Sequence, residues 1–227
     1  MQVRPNPSSG KPATHCKLRT AIAATLVCAA GLITGHAATD GFQAYTLESA
    51  RRINALRSPV PVPQLALELA DGQRVRLAEI PARVLLIDFV YTNCSTYCAA
   101  LGSVFAQLQQ RLQAEIAADD IRLLSISFDP ERDGPDALHA YRTRNTSNPV
   151  GWDVGRPAIF GELQTWLGAF GVVVIPDEFG GFAHNAALHV VGPDRRLVSI
   201  HDITDVDGAV KAARRILGTG VLYAQAR

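Results

Sequence analysis

The 227-residue chain has no surplus of charge: 22 Lys and Arg stand against 21 Asp and Glu, a formal +1 at pH 7. What basic excess exists is confined to residues 1–38, which hold Arg4, Lys11, Lys17 and Arg19 and no acid. The remainder is mildly acidic, about −3. It lacks the clustered positive charge of a nucleic-acid-binding surface, so nucleic acid is excluded as a partner. Long apolar runs are also missing. The longest, residues 21–33, is broken by Thr25 and falls short of the ~20 residues that span a bilayer unaided. Internal repeats and low-complexity tracts are absent, which excludes fibrous and solenoid architectures. Cysteine is scarce, at four residues, and Cys16 and Cys28 fall in the N-terminal stretch. Only Cys94 and Cys98 remain. A chain that is 48% apolar builds a core without a disulfide staple.

What is present at the N-terminus is the order of an export signal: basic residues ending at Arg19, the apolar run, then Gly35-His36-Ala37-Ala38 as a small-residue cleavage region. Residues 1–37 are therefore read as a signal peptide or a membrane anchor. Residues 38–58 read as an N-terminal helix, from 43 to 57, and a linker. Residues 59–217 form the folded domain and 218–227 a tail. The prolines at 59, 61 and 63 predict an extended, polyproline-like link. A small hairpin follows over 65–69 and 75–77, turning at Asp71-Gly72. The run Val84-Leu85-Leu86-Ile87-Asp88-Phe89-Val90-Tyr91 has the composition of a strand buried on both faces. Leu101, Val104, Phe105, Leu108, Leu112 and Ile116 recur at helical spacing and predict a helix over 96–117. Further expectations are a buried strand at 121–128, helices near 134–145 and 160–168, and a short strand at 170–175. A hairpin around Gly192-Pro193-Asp194 and a last helix over 205–217 complete the domain. Strand–helix alternation of this kind implies an α/β fold with parallel strand pairs covered by helices.

The chemistry centres on Tyr91-Thr92-Asn93-Cys94-Ser95-Thr96-Tyr97-Cys98, a C-x3-C motif where a strand runs into a helix. Residues i and i+4 of a helix share a face, so both sulfurs can point one way. The helix N-terminus favours thiolate over thiol. Two thiolates on one face make a soft clamp suited to Cu(I) or Zn(II) rather than Ca or Mg. The same pair can form a strained, easily reduced disulfide. A further metal ligand must come from His139, His184, His189 or His201. His184 follows a Gly-Gly-Phe-Ala stretch where a flexible loop enters a strand, which lets it reach the helix N-terminus. A hydrogen-bonded structural role is the commoner fate of a histidine, and spacing leaves the choice open.

The stretch 84–98 resembles the Sco (SenC/PrrC) family, whose mark is a strand ending in Tyr-Thr-x-Cys-x3-Cys. Ser127-Phe128-Asp129-Pro130-Glu131-Arg132-Asp133 is similar to that family's Ser-Val-Asp-Pro-Glu-Arg-Asp block, and Ala169-Phe170-Gly171-Val172 to its Phe-Gly-Val segment. His184 with Leu188-His189-Val190-Val191-Gly192-Pro193-Asp194 resembles its Asp-His-Ser and hairpin. The four blocks, in order, cover residues 60–217. The resemblance implies a thioredoxin-like fold: a central mixed sheet flanked by helices, with an added N-terminal hairpin. It implies copper, as Cu(I) or Cu(II), held by Cys94, Cys98 and His184. It also implies a place in the periplasm or at the outer face of the cytoplasmic membrane. The implied partner is the copper-site subunit of cytochrome c oxidase or another periplasmic copper or thiol protein. Ser95 and Ala99 stand where the family has Pro after each Cys. Ala183 and Asn185 replace the Asp and Ser that flank the His, and Gly192 replaces an Asp. The ligands survive while their surroundings differ.

Two functions fit these residues. A metallochaperone needs Cys94, Cys98 and His184 together, whereas a thiol–disulfide oxidoreductase uses Cys94 and Cys98 as a redox pair and can spare His184. A peroxiredoxin-like peroxidase lacks its activating Pro and Arg context. Asp88, inside the buried strand, reads either as a proton relay to a thiol or as a paired structural acid. The segment from Asp129 to Asp133 reads as a partner-facing loop or a strand-ending turn. Phe89 and Tyr91 read as core or site wall, and Trp152 and Trp166 as packing residues.

Overall fold

The computed structural model describes residues 13–93, 97–178 and 180–218, and the chain divides after residue 50 into two compact units. The first contains α1 (Ala13–Ala38), of which the 22 residues Lys17–Ala38 are long and apolar enough to cross a membrane. The helix thus extends past both ends of the short apolar run. Helix α2 (Leu47–Arg57) begins later than the expected 43: the Thr46 hydroxyl accepts a hydrogen bond from Ser49 N at 3.0 Å, which is an N-cap.

The second unit carries an eight-stranded sheet. Its strands are β1 (Val60–Pro61), β2 (Ala66–Leu69), β3 (Arg74–Arg76), β4 (Val84–Val90), β5 (Ile121–Ser127) and β6 (Trp152–Pro157), joined later in the chain by β9 (Leu188–Val191) and β10 (Arg196–His201). They lie in the order β1-β10-β9-β4-β5-β6-β2-β3. The run β4, β5, β6 is parallel and the other pairs are antiparallel. Between the parallel strands run α3 (Tyr97–Arg111) with α4 (Gln113–Ala117), and α5 (Pro135–Asn145). After β6 come α6 (Leu163–Phe170) and a separate two-stranded hairpin, β7 (Val174–Pro176) with β8 (Phe182–His184). Helix α7 (Val206–Gly218) closes the domain and packs on β4, β9 and β10.

All seven residues of β4 are buried, as its unbroken apolar run predicts. The expected long helix after it is two helices, broken at Leu112. The polyproline link is in fact an edge strand. Val60 and Pro61 pair with Leu197 and Arg196, and the Arg196 guanidinium donates twice to Pro59 O, at 3.0 and 2.6 Å. Proline is tolerated there because an edge strand can leave one side of its backbone unpaired.

Helix α6 ends at Gly171, whose φ of +63° is the left-handed conformation that glycine adopts without penalty. A Cβ at that position would also stand 2.5 Å from Arg51 Cδ. Arg51 reaches this corner because its Nη1 donates to Phe170 O. Gly171→Ala is expected to cost roughly 1–2 kcal/mol, read as a fall of a few degrees in Tm.

Candidate metal centre

Two chain segments meet at the candidate site. The first leaves β4 through Tyr91, Thr92 and Asn93. Thr92 is fastened there: its N–H and hydroxyl donate to the two carboxylate oxygens of Asp133, at 2.9 and 2.6 Å. The Ser127 hydroxyl adds a third bond to the same carboxylate at 2.6 Å. Asp133 is buried, so these charge-assisted bonds act with little screening. The segment at Asp129–Asp133 is therefore a structured, strand-ending turn, with both end carboxylates buried. Two residues beyond Thr92 is Cys94, which, with Ser95 and Thr96, lies outside the described residues. Cys98 is the second residue of α3, in its first turn.

The second segment is the β7–β8 hairpin, in which His184 pairs with Val174. Below it, Asn185 accepts Val173 N at 2.7 Å and donates to Gly171 O at 3.0 Å. The Asn that replaces the family's Ser thus ties the strand end to the turn after α6. The His184 ring lies 4.9 Å from the Phe128 ring, and Phe128 lies 5.3 Å from Tyr91, three residues before Cys94. The tip of the hairpin is closed by Asp177, which accepts Gly181 N at 2.7 Å. A Cβ at 181 would stand 2.7 Å from that carboxylate and 3.2 Å from the Tyr91 hydroxyl, so a side chain there would displace Asp177.

Among the described residues, neither ring nitrogen of His184 has a hydrogen-bond partner, though both are buried. Burial also holds the imidazole below the ordinary histidine pKa, keeping it neutral with a free lone pair. Buried polar atoms without partners are rare and costly; a metal ion is a partner of the right kind for this one. The other three histidines are accounted for. His189 is buried between Phe89 and Phe170, with Nδ1 3.1 Å from Ile87 O and Nε2 3.3 Å from Arg51 Nη1. His201 has Nδ1 3.0 Å from Asp205 and Nε2 3.1 Å from Ser199. His139 sits exposed on α5. The Ser199–His201–Asp205 chain has the bonds of a nucleophile relay. Ser199 is 4% exposed, however, and Asp205 caps α7 by accepting Gly208 N, so its role is structural.

Asp88 lies midway along β4 and is fully buried, and among the described residues neither oxygen is within hydrogen-bond geometry of a partner. Burial pushes its carboxyl up to about 8, with the Ser125 hydroxyl on β5 pulling weakly the other way. Ser125 itself accepts Trp152 Nε1–H at 3.0 Å. Asp133 is the residue that sequence reasoning placed in a partner-facing loop or a strand-ending turn, with no role at the site. Its burial and its grip on Thr92, 41 positions away, had no local signal.

The donor set fits a soft metal. A neutral buried imidazole without a hydrogen-bond partner among the described residues packs on Phe128, which also meets Tyr91 at the strand end leading to the two cysteines, and thiolate with imidazole is a copper or zinc donor set rather than one for Ca or Mg. Among the described residues no three His, Cys, Asp or Glu converge to hold a metal, Cys94 lying outside them.

Comparison with known proteins bears on the whole second unit. The family model SCO1/SenC matches residues 63–217. The SCO1 protein homolog of Bacillus subtilis (strain 168) is 31% identical over 130 residues, 56% of this chain and 66% of that protein. The match thus spans just under two thirds of that relative. Among solved structures, BsSco is described as having a disulfide switch and as a member of the Sco family of cytochrome c oxidase assembly proteins. It is 25% identical with a TM-score of 0.62, over 71% of this chain and 96% of that one. Bradyrhizobium japonicum ScoI with copper bound is 21% identical with a TM-score of 0.58, over 69% and 99% of the two chains.

Proposed function

Because this chain belongs to the SCO1/SenC family, we propose that it is a metallochaperone that carries copper between Cys94, Cys98 and His184. The single observation that carries the reading is the buried His184 ring with no hydrogen-bond partner on either nitrogen among the described residues. A histidine that served only the fold would be engaged, as His189 and His201 are.

Copper is the cargo. Thiolates from Cys94 and Cys98 supply the soft donors that Cu(I) prefers, and the imidazole adds a donor that both copper states accept. The chain's own residues do the positioning. Asp133 fixes the entry to the cysteine segment through Thr92, Phe128 backs the imidazole, and Asn185 anchors the strand end beneath it. Burial keeps His184 unprotonated to lower pH than a free histidine, so protons compete less with the metal in mildly acidic surroundings. The recipient we assign is the copper-site subunit of cytochrome c oxidase; BsSco is described as a member of a family of cytochrome c oxidase assembly proteins. The periplasm, or the outer face of the cytoplasmic membrane, is the compartment, reached through the apolar N-terminal helix.

The competing reading, a thiol–disulfide oxidoreductase, draws on the disulfide switch described for BsSco. It needs the cysteine pair and leaves His184 without a task. Titration of the reduced full chain with Cu(I) is expected to saturate at one copper per chain, and oxidation of the Cys94–Cys98 pair to abolish binding. A reduced chain that takes up no copper yet exchanges disulfides would replace the chaperone reading with the oxidoreductase.

A further inference from the structure

We propose that the turn at residues 129–133 is a clasp that sets the spacing between the two halves of the copper site, with Arg132 as the positioning residue for the His184 half. The inference rests on the copper reading above. The hairpin carrying His184 is a two-stranded sheet of its own, with no strand pairing to the eight-stranded sheet. Backbone ladders therefore do not fix where its tip stands; side chains must.

One short turn reaches both halves. Its last residue, Asp133, grips Thr92 on the cysteine side through the bonds described above. Its neighbour Arg132 turns the other way. Arg132 Nη1 donates to Gly180 O at the hairpin tip, at 2.9 Å, and the guanidinium lies 5.2 Å from the Phe182 ring centroid. An ion pair with Asp129, Nε to Oδ2 at 2.6 Å, braces the guanidinium in that direction. Phe182 and His184 alternate on β8 and so share a face. Phe182 meets the Phe128 ring edge-on at 5.5 Å and the Tyr91 ring at 5.1 Å, while His184 meets Phe128 at 4.9 Å. Phe128 immediately precedes the turn. The guanidinium presses Phe182 into this aromatic cluster, and with it the strand that presents the imidazole. The fold does not need Arg132 for its core, since the side chain is 47% exposed.

The test is Cu(I) affinity of the full chain, measured by competition with a chromophoric Cu(I) chelator. The proteins are wild type, Arg132→Ala, Arg132→Lys, His184→Ala and the Arg132→Ala/His184→Ala double variant, with a thermal melt of each apo form. Arg132→Ala is expected to weaken Cu(I) several-fold, less than the loss of the His184 ligand itself. Arg132→Lys should recover part of the loss by keeping a cation over Phe182. The double variant should bind no more weakly than His184→Ala alone, because Arg132 acts through the histidine. The apo melts should stay within a few degrees of one another. Arg132→Ala binding like wild type while His184→Ala is weakened, or losses that add in the double variant, would overturn the clasp and leave the copper reading standing. A wild type that binds no copper would overturn both.

Discussion

Replacing His184 by Ala is expected to lower Cu(II) affinity by at least about a hundredfold and Cu(I) affinity by about tenfold, or about 2.8 and 1.4 kcal/mol. The two states differ because their coordination demands differ. Cu(I) is satisfied by two thiolates, so Cys94 and Cys98 alone retain it, whereas Cu(II) favours additional nitrogen donors. The variant should lose the visible thiolate-to-Cu(II) absorption while still taking up Cu(I). Apo stability should barely change, since the ring gives up no hydrogen bond on either nitrogen and loses only its packing on Phe128. That separation is the signature of a residue kept for binding rather than for folding. Equilibrium competition titrations in both copper states, beside denaturant melts of the apo proteins, measure it. Undiminished Cu(II) binding would remove His184 from the site.

The parts of this molecule that sequence reveals are those whose cause is local. An unbroken apolar run is enough to declare β4 a doubly buried strand, and Asp71-Gly72 to declare the β2–β3 turn, where Gly72 has a φ of +81°. Strand β6 escapes the same reasoning. Trp152-Asp153-Val154-Gly155-Arg156-Pro157 mixes glycine, proline and charge, and is extended because β5 and β2 pair with its two edges. Strand β8 is three residues after two glycines and is defined only by β7 across the hairpin. The site divides similarly. C-x3-C announces itself by spacing, and His184 emerges from a family resemblance. What singles it out among the four candidate histidines of the folded domain is burial without a hydrogen-bond partner among the described residues, a property of the folded surroundings. Asp133 and Arg132 look like ordinary turn residues until the fold brings Thr92 and Gly180 to either side of them.

Asp88 should make the apo protein lose stability as pH rises through neutrality. Its carboxyl titrates at about 8 when folded, against about 3.9 in an unfolded chain. Between those values the folded state holds a proton that the unfolded state has released, so stability falls with increasing pH. The penalty is absent below the unfolded value, reaches about 4 kcal/mol at pH 7 and is complete above the folded value. Asp88→Asn removes the titration. Its stability relative to wild type should therefore rise by several kcal/mol between pH 4 and pH 8, whatever fixed cost the buried amide brings. Urea unfolding of both proteins across that range measures the difference, and parallel profiles would mean that Asp88 is ionised in the fold. A chain under selection for stability alone would place an apolar residue among Ile87, Phe89 and the other buried side chains of β4. This chain keeps a buried acid instead, on the strand leading to Cys94, and an acid held against local packing rules is a candidate for moving protons.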